Sequence, residues 1–425
     1  MACSIPRGAG FAQVTGFRRK FWAARPWLKC PPGSGRIECR RLPDRGPGAN
    51  KHAAEGEISA QQAILGFFTP WIVYAGVTLL HVGLPAIPRK GCVRSERTGK
   101  LLTYKLNGNL VLPGCALAWL VLGYIRLVPW TWLHDVRWPG LAGAAALGAL
   151  FSLAAVLPHP AGGKSALADL WHGRLKDPQF KRGSVLIDAK IWLRMAGAVM
   201  LQLNVLSFLA RHWPGLDTQA LAGVNPGFLA AAAMLTFFIW DYFTFEKTHL
   251  YTRGFTSERV GFKLGFGCLA FLPYFYPAAL WATAGLPDPG RPAWLTAFYA
   301  LVFLSGWALS RGAGLQKYYF KTDPAKRFLG IRPRAISDDK LSLLASGFWG
   351  KSRHLNYLGE ALMGCGIALA AGYPGIPWVW LHPLYLAALL LARQIDDDRA
   401  CEAKYGELWA RYKEKARYRI IPYIY

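Results

Sequence analysis

Aromatic, basic and hydrogen-bonding side chains crowd into the last part of the sequence, between segments that are otherwise apolar. Trp349 offers a flat surface for stacking, and Arg353 offers a cation with several hydrogen-bond donors. Asn356 and Tyr357 follow at once and add further hydrogen-bonding groups. An aromatic surface among cations suits a ligand made of adenine, ribose and phosphate. A solvated face beside a membrane has the same composition and is the alternative.

Charged residues recur at the spacing of one helical turn on both sides of this stretch. Lys317 and Lys321 are four residues apart, as are Arg393 and Asp397, so each pair lies on one face of a helix. The remaining polar members of this C-terminal set are Lys404, Tyr405 and Tyr412. The lysines and Arg353 are candidate donors to an anion.

Two carboxylates, Asp241 and Glu246, come directly after the apolar run 228–240. An ionisable side chain at membrane depth is energetically costly, so it is a functional candidate by default. The alternative interpretation is that a helix ends here in the membrane interface.

The elements that hold these residues are strongly hydrophobic. The chain has 425 residues, of which 53% are hydrophobic and 17% charged, whereas soluble domains carry roughly 25% charged residues. Apolar stretches near the length of a membrane helix recur at 63–87, 110–133, 138–157, 191–210, 226–245, 260–284, 294–310 and, as a hairpin broken at 372–377, 361–391. Backbone polar groups in lipid must be satisfied internally. The sequence therefore predicts an all-α membrane protein, a polytopic bundle of about eight to ten transmembrane helices.

The formal net charge of +26 is better explained by membrane topology than by nucleic-acid binding. Lys and Arg cluster in loops between the apolar stretches, and residues 311–353 hold ten of them against three Asp. Basic loops are typical of the cytoplasmic side. We expect this block and the tail after Arg393 to form a cofactor pocket that faces the cytoplasm, and we expect no nucleic-acid partner.

Three other patterns predict no site. The eight cysteines show no zinc-ligand spacing, and the acidic runs 338–339 and 396–398 have no further ligands spaced to complete an oxygen cage, so we predict no metal. The GxGxxA match at 265–270 lies within an apolar stretch, where small residues are typical of helix contacts.

The chain divides into three regions by composition. Residues 1–57 hold eleven Lys and Arg, many Pro and Gly, and no apolar run, which is typical of a disordered basic arm. We expect a transmembrane bundle at 58–310. Residues 311–425 are expected to form a cofactor-binding region with a helical hairpin.

The C-terminal motifs resemble both signatures of the sterol reductases, a family that includes the delta-14 and delta-7 reductases and the lamin B receptor. Residues 344–359 contain Ser-Gly-x-Trp-Gly and Arg-His-x-Asn-Tyr-Leu-Gly. Residues 397–425 contain Asp-x-x-x-Cys-x-x-Lys-Tyr-Gly and Tyr-Arg-Ile-x-Pro-Tyr-Ile-Tyr. Weaker matches upstream extend the resemblance over roughly residues 63–425.

The resemblance implies a multi-pass membrane enzyme that reduces a sterol carbon–carbon double bond with NADPH. The family's cofactor contacts would fall on Lys317, Lys321, Leu344, Trp349, Asn356, Tyr357, Arg393, Asp397, Cys401, Lys404, Tyr405 and Tyr412. Arg353, the first residue of the Arg-His-x-Asn-Tyr-Leu-Gly motif, completes the candidate cofactor-binding set.

The sequence departs from the family pattern at a few positions. Lys321 stands where Arg is usual, which keeps the charge and loses the bidentate fork. Leu355 replaces a Pro, and residues 257–259 and Cys268 replace positions that usually include carboxylates. The second group adjoins the expected sterol pocket, so these departures bear on which double bond is reduced.

An isolated sterol alkene is not electrophilic, so its reduction needs a proton donor as well as a hydride. A carboxylic acid in an apolar site can stay protonated near neutral pH. We expect Glu246 or Asp241 to serve as the donor, with Tyr242 or Tyr251 as the group through which it acts.

Several functions share parts of this pattern. Delta-14 reduction is favoured over delta-7 or side-chain reduction. A membrane methyltransferase of the isoprenylcysteine type, dependent on S-adenosylmethionine, and a non-catalytic sterol-binding scaffold are also compatible with it. A eukaryotic protein of this kind would lie in the endoplasmic reticulum membrane and a bacterial one in the inner membrane. The sequence leaves its oligomeric state open.

Overall fold

A computed structural model describes residues 58–86, 90–94, 99–160, 165–183, 185–213, 224–339 and 341–425. The expected basic arm at 1–57 lies outside the described residues. The α-helices are α1 Ala60–Gly83, α2 Gly108–Tyr124, α3 Trp132–Asp135, α4 Arg137–Val156, α5 Ala166–His172, α6 Ala189–His212, α7 Pro226–Thr244, α8 Glu246–His249, α9 Arg253–Thr256, α10 Phe262–Phe266, α11 Leu272–Phe275, α12 Ala278–Thr283, α13 Ala293–Thr322, α14 Phe348–Lys351, α15 Leu355–Ala370, α16 Leu381–Tyr405 and α17 Glu407–Lys415.

Within the described residues, three short antiparallel hairpins connect these helices. Their strands are β1 Lys90–Arg94 with β2 Leu101–Lys105, β3 Gln179–Arg182 with β4 Val185–Asp188, and β5 Ala335–Ser337 with β6 Ser342–Leu344. Each hairpin lies in a polar connection between apolar helices. The third ends at Leu344, so it delivers the chain to the first C-terminal motif.

The predicted all-α membrane bundle is confirmed. Six helical segments of the described chain are long and apolar enough to cross a membrane: Ala60–Gly83, Arg137–Val156, Ala189–His212, Pro226–Thr244, Phe262–Thr283 and Ala293–Thr322. Two shorter apolar helices, Gly108–Tyr124 and Leu355–Ala370, accompany them. The expected C-terminal hairpin is formed by α15 and α16, which pack against each other.

Helix α6 lies at the centre of the bundle. It starts where the Asp188 carboxylate accepts hydrogen bonds from the backbone N–H groups of Lys190 (3.0 Å) and Ile191 (3.2 Å), which caps its first turn. Most of its residues are buried. One of them, Asn204, is polar, and its side-chain N–H donates to the Pro273 carbonyl at 2.8 Å, which ties the central helix to its neighbour.

The GxGxxA stretch lies in helices rather than in a strand and a phosphate loop. Residues Phe262–Phe266 form α10, and Gly267–Phe271 continue as a π-helical turn. A Cβ atom on Gly265 would lie 2.6 Å from the Ser152 hydroxyl oxygen, and one on Gly148 would lie 3.0 Å from the Phe266 Cα atom. The small residues therefore allow close helix packing, as the sequence predicts.

Helices α13 and α15 approach each other through glycines. A Cβ atom on Gly306 would lie 2.5 Å from the carbonyl oxygen of Gly359, and one on Gly359 would lie 2.6 Å from the backbone nitrogen of Ser310. Such distances leave no room for a side chain. The backbones are therefore in direct contact, which fixes the register between the helix that ends in Lys317 and Lys321 and the helix that begins at Leu355.

A matched pair of substitutions on α13 tests this contact. Gly306→Ala places a methyl group against the α15 backbone, where overpacking costs about 1–3 kcal/mol. Gly314→Ala, on the same helix, places it where no atom lies within 4 Å, and Ala is favoured over Gly in a helix by up to about 1 kcal/mol. We expect the melting temperature of the purified protein in detergent to fall for Gly306→Ala and to hold or rise for Gly314→Ala. Equal melting temperatures would contradict the close contact.

Candidate active site

One end of α13 extends beyond the length that a membrane requires. The helix has 30 residues, so it is about 45 Å long, compared with a hydrocarbon core of about 30 Å. Lys317 and Lys321 lie in its last turns. The extension therefore carries these cations out of the apolar region and forms one wall of the candidate cofactor site.

The first C-terminal motif is docked on this wall. The Gln316 side chain accepts a hydrogen bond from the Phe348 N–H at 3.0 Å, and the Trp349 indole N–H donates to the Ala313 carbonyl at 2.9 Å. Gly347, which precedes Phe348, has φ +61° and lies against the Gln316 amide, where a side chain has neither the conformation nor the space. The Ser-Gly-x-Trp-Gly motif is thus a turn shaped to set the Trp349 ring beside α13.

The structure brings Trp349, Lys317 and Tyr412 together. The Lys317 ammonium lies 4.6 Å from the centre of the Trp349 ring, within the range of a cation–π contact. The Tyr412 hydroxyl donates to the Trp349 carbonyl at 2.8 Å. Three residues that are 32 to 95 positions apart in sequence therefore form one aromatic and cationic surface.

A small apolar cluster supports this surface from the C-terminal side. Its buried members are Ala345, Trp409, Tyr412 and Ala416, and Cys401 and Tyr405 pack against them. Leu344, at the end of β6, is buried next to Ala345 in the sequence. The Lys404 ammonium lies 5.6 Å from the Tyr405 ring centre. Cys401 and Tyr405 are thus in contact with the side chains that hold Trp349.

A second polar group joins α15 to α16. The Tyr357 hydroxyl donates to Asp397 at 2.7 Å, and the Arg393 guanidinium interacts with Tyr357, Asp397 and Glu258. The Arg393 and Glu258 charged groups are 3.4 Å apart. Glu258 belongs to the segment that departs from the family pattern, so that segment contacts the candidate cofactor residues directly.

Arg353 is held by an ion pair within the C-terminal region. Its guanidinium lies 3.2 Å from the Asp398 carboxylate, and both side chains are largely buried. His354 stacks on the Tyr357 ring with 4.8 Å between centres. This part of the motif orders α15 and α16 around Tyr357.

Two buried polar atoms at this end of the bundle fit a polar ligand. Asn356 Oδ1 and Arg353 Nε have no hydrogen-bond partner among the described residues, and buried polar groups are rarely left unpaired in proteins. Arg353 and Asn356 follow Trp349 in the sequence by four and seven positions. Unpaired donors and acceptors, an aromatic ring and several cations are the groups that a dinucleotide cofactor needs.

Lys321 points to a different neighbour. Its ammonium donates to the Tyr251 carbonyl at 2.8 Å, and the Tyr251 ring meets the Tyr318 ring edge to face at 5.1 Å. Burial raises the pKa of the Tyr251 phenol. Through these contacts the end of α13 joins the candidate cofactor residues to the loop that follows α8.

Asp241 is engaged in a buried ion pair. Arg311 donates to its carboxylate through Nε at 3.0 Å and through Nη2, and the Trp307 indole N–H donates to the other oxygen at 3.0 Å. The Arg311 and Asp241 side chains are 14% and 8% exposed. These donors satisfy the charged carboxylate, so this geometry suits an orienting role better than proton donation.

Glu246 has a different environment. It is 5% exposed, and the Gly108 N–H approaches one of its oxygens at 3.4 Å. Burial raises the pKa of its carboxyl to about 7. Of the two candidate acids, Glu246 is the one whose surroundings favour a proton near neutral pH.

Sequence reasoning missed several ionisable residues beside these candidates. Arg311 pairs with Asp241, and Glu360 accepts from the Ser310 hydroxyl at 2.8 Å. His249 stacks on Tyr242 at 4.3 Å, and burial, with Arg311 and Arg194 nearby, lowers its pKa well below the ordinary value. These residues lie at or near the ends of apolar runs. An ionisable residue at such a position is the sequence signal that could have identified them.

Comparison with known proteins decides the family. The model of the ergosterol biosynthesis ERG4/ERG24 family matches residues 51–425. The chain belongs to this family. It is 33% identical over 274 residues to the Delta(14)-sterol reductase of Arabidopsis thaliana, covering 63% of this chain and 68% of the relative.

Two other ERG4/ERG24 relatives come from distant organisms. The Delta(14)-sterol reductase of Methylotuvimicrobium alcaliphilum is 36% identical over 242 residues, which cover 56% of this chain and 55% of the relative. The Delta(14)-sterol reductase ERG24 of Saccharomyces cerevisiae is 32% identical over 244 residues, 56% of this chain and 52% of the relative. The chain spans about half the length of these two relatives.

The buried pair of Asp241 and Arg311 makes a stability prediction. Removing one partner of a buried ion pair leaves an uncompensated charge and costs about 3–5 kcal/mol. We expect Asp241→Asn to lower the melting temperature in detergent, and the double variant Asp241→Asn/Arg311→Gln to recover part of the loss. As a control, Asp135→Asn removes the contact between Asp135 and His134. Asp135 is half exposed there, so this change should have little effect on the melting temperature. Additive losses in the double variant would contradict the pairing.

Proposed function

We propose that this protein is an NADPH-dependent sterol reductase that reduces the Δ14 double bond in sterol biosynthesis. The observation that carries the proposal is the assembly of Trp349, Lys317 and Tyr412 in a member of the ERG4/ERG24 family. The relatives named above support the choice of the Δ14 bond. The membrane would be that of the endoplasmic reticulum in a eukaryote or the inner membrane in a bacterium.

The cofactor would be held by the C-terminal set. When bound, NADPH supplies a hydride. Trp349 would stack on a flat part of the cofactor, and Asn356 and Arg353 would meet its polar atoms with the groups that lack partners among the described residues. Lys317 and Lys321 would meet the 2′-phosphate, which favours NADPH over NADH. Cys401, Lys404, Tyr405 and Leu344 would shape the remaining wall.

The proton would come from Glu246, which lies outside the C-terminal set that would hold the cofactor. Glu246 begins α8, which packs against α13. Its buried carboxyl can hold a proton at neutral pH and can release it to one carbon of the double bond. The π electrons form the new C–H bond, and the other carbon is left with the positive charge that a hydride neutralises. Asp241, held by Arg311, would orient α7, and Tyr251, held by Lys321, would order the adjoining loop.

Specificity for one double bond would depend on the segment around Glu258. This residue interacts with both Lys263 and Arg393, at 3.6 Å and 3.4 Å. The ion pair with Arg393 connects this segment, which adjoins the expected sterol pocket, to α16. A change in the segment would therefore move the substrate relative to the cofactor, which is the geometry that selects the reacting carbons.

Purified protein tests the proposed activity. A Δ14-unsaturated sterol should be reduced in the presence of NADPH, with loss of the cofactor absorbance and formation of the saturated product detected by mass spectrometry. NADH should support a much lower rate because it lacks the 2′-phosphate. Equal rates with both cofactors would contradict the role of Lys317 and Lys321. Transfer of a methyl group from S-adenosylmethionine, without reduction, would contradict the proposal itself.

The role of Glu246 predicts both a pH dependence and a mutational effect. The carboxyl is protonated below its pKa of about 7, so the turnover number of the wild type should fall as pH rises through this value. Glu246→Gln removes the proton donor and should lower turnover by roughly 10²–10⁴-fold while NADPH binding is unchanged. Glu407→Gln, at the exposed start of α17, is the control. Full activity in Glu246→Ala would contradict the assignment.

A further inference from the structure

Residues 417–425 fold into a compact loop, called the closing loop below, which has no role in the proposed reaction. The carbonyl oxygen of Tyr425 accepts hydrogen bonds from the backbone N–H groups of residues 419–421, at 2.8, 2.9 and 3.1 Å. The Arg419 guanidinium also donates to the Tyr425 hydroxyl at 3.1 Å. These hydrogen bonds fix the shape of the loop without burying its side chains.

The closing loop is joined to the first C-terminal motif. The backbone N–H of Arg353 donates to the Tyr418 carbonyl at 3.0 Å. The backbone N–H of His354 donates to the Arg419 carbonyl at 2.8 Å, and the Ser352 hydroxyl donates to the same carbonyl at 3.0 Å. The loop therefore has a fixed position relative to the start of α15.

Two further contacts place the closing loop at the level where α16 leaves the apolar region. Ile420 is buried in an apolar cluster that includes Leu386 and Leu390, from the apolar part of α16. The Tyr425 hydroxyl donates to the Gln394 side-chain oxygen at 3.3 Å. Gln394 lies where the apolar run of α16 gives way to charged residues. The loop is therefore beside the boundary between the apolar bundle and its basic face.

Large apolar side chains point out of the protein at this level. Tyr423 and Ile424 are 85% and 79% exposed. Tyr423 has φ +69°, a left-handed conformation that is uncommon for a bulky residue. On α16, Leu391 and Ile395 flank Gln394 in the sequence and are about half exposed. Apolar side chains held outward together are unfavourable in water, whereas aromatic and apolar side chains are favoured at a membrane interface.

Cations accompany these apolar side chains. Residues 411–419 hold five Lys and Arg against one Glu. Arg417, at the start of the closing loop, is exposed, and its Nε donates to the Glu414 carbonyl at 3.3 Å. Basic side chains next to a membrane attract anionic lipid headgroups. Exposed Tyr and Ile side by side with Arg therefore match a lipid surface that is apolar below and anionic above.

We propose that the closing loop is a membrane-interface anchor that binds anionic phospholipid. Tyr423 and Ile424 lie between the headgroups and the upper acyl chains, and Arg417 faces the lipid phosphates. Because the loop is hydrogen-bonded to residues 352–354, it also holds the start of α15 at a fixed depth. This role goes beyond the proposed function and does not depend on it.

A fluorescent amino acid in place of Ile424 tests the position of the loop. The full chain is placed in lipid nanodiscs, and the emission is quenched either by phosphatidylcholine with a nitroxide near the top of its acyl chain or by acrylamide in the water. Glu407 is the control position, because α16 continues eleven residues beyond Gln394, roughly 16 Å, before α17 begins. We expect the nitroxide lipid to quench the probe several-fold more strongly at position 424 than at position 407, and acrylamide to show the reverse order.

Two outcomes would overturn the anchor. Strong quenching by acrylamide but not by the nitroxide lipid would place the loop in water. Quenching by neither would show that protein covers it, as in contact with a second copy of the chain. If the chain labelled at Ile424 does not fold, Tyr423 takes the probe, since its side chain is more exposed still.

The same probe tests the class of lipid. Nitroxide-labelled phosphatidylglycerol and phosphatidylcholine are compared at equal mole fraction, and the ratio of their quenching reports enrichment of the anionic lipid at the loop. We expect a ratio of about two or more for the unchanged charge set. Arg417→Gln should lower it towards one, whereas Arg327→Gln, which removes an exposed cation from the connection after α13, should leave it unchanged. A ratio of one before any substitution, or an equal fall in both variants, would overturn the proposed lipid class.

Discussion

The direct backbone contact between α13 and α15 is the constraint on which the C-terminal region depends. Gly306 and Gly359 allow it, and neither position has space for a side chain. One helix carries Lys317 and the other begins just before Asn356. With the two backbones in contact, cations from α13 and hydrogen-bonding groups from α15 can line one site. In a membrane the lipid tails are as apolar as the helix surfaces, so apolar side chains gain little by leaving lipid for another helix. Close backbone packing is therefore a main source of helix association.

Pairing of polar groups within this bundle separates structural residues from candidate ligand contacts. Asp241 is satisfied by Arg311, and Asp397 by Tyr357. In contrast, Asn356 Oδ1 and both nitrogens of His382 have no partner among the described residues. An unpaired polar group costs more in an apolar interior than in water. The satisfied groups therefore position the helices, and we propose that an unpaired group in the C-terminal set, Asn356 Oδ1, meets a polar atom of the cofactor.

Much of the architecture follows from the sequence, because apolar runs of spanning length and the C-terminal motifs are local signals. The helical bundle, the hairpin of α15 and α16 and the helical state of residues 265–270 were predictable in this way. The partners of individual side chains were not. Arg311 and Asp241 are 70 positions apart, as are Lys321 and Tyr251. Such pairs arise from the packing of α13 on earlier elements, which no local pattern encodes.

The origin of the two added hydrogens tests the central claim most directly. Purified protein is incubated with a Δ14-unsaturated sterol, first with NADPH that carries deuterium at the transferable position in ordinary water, then with unlabelled NADPH in heavy water. The account predicts that the product gains one deuterium from the cofactor in the first experiment and one non-exchangeable deuterium from the solvent in the second. A product that takes both hydrogens from solvent, or no reduced product with either label, would contradict a site that joins hydride transfer to protonation by a buried carboxyl.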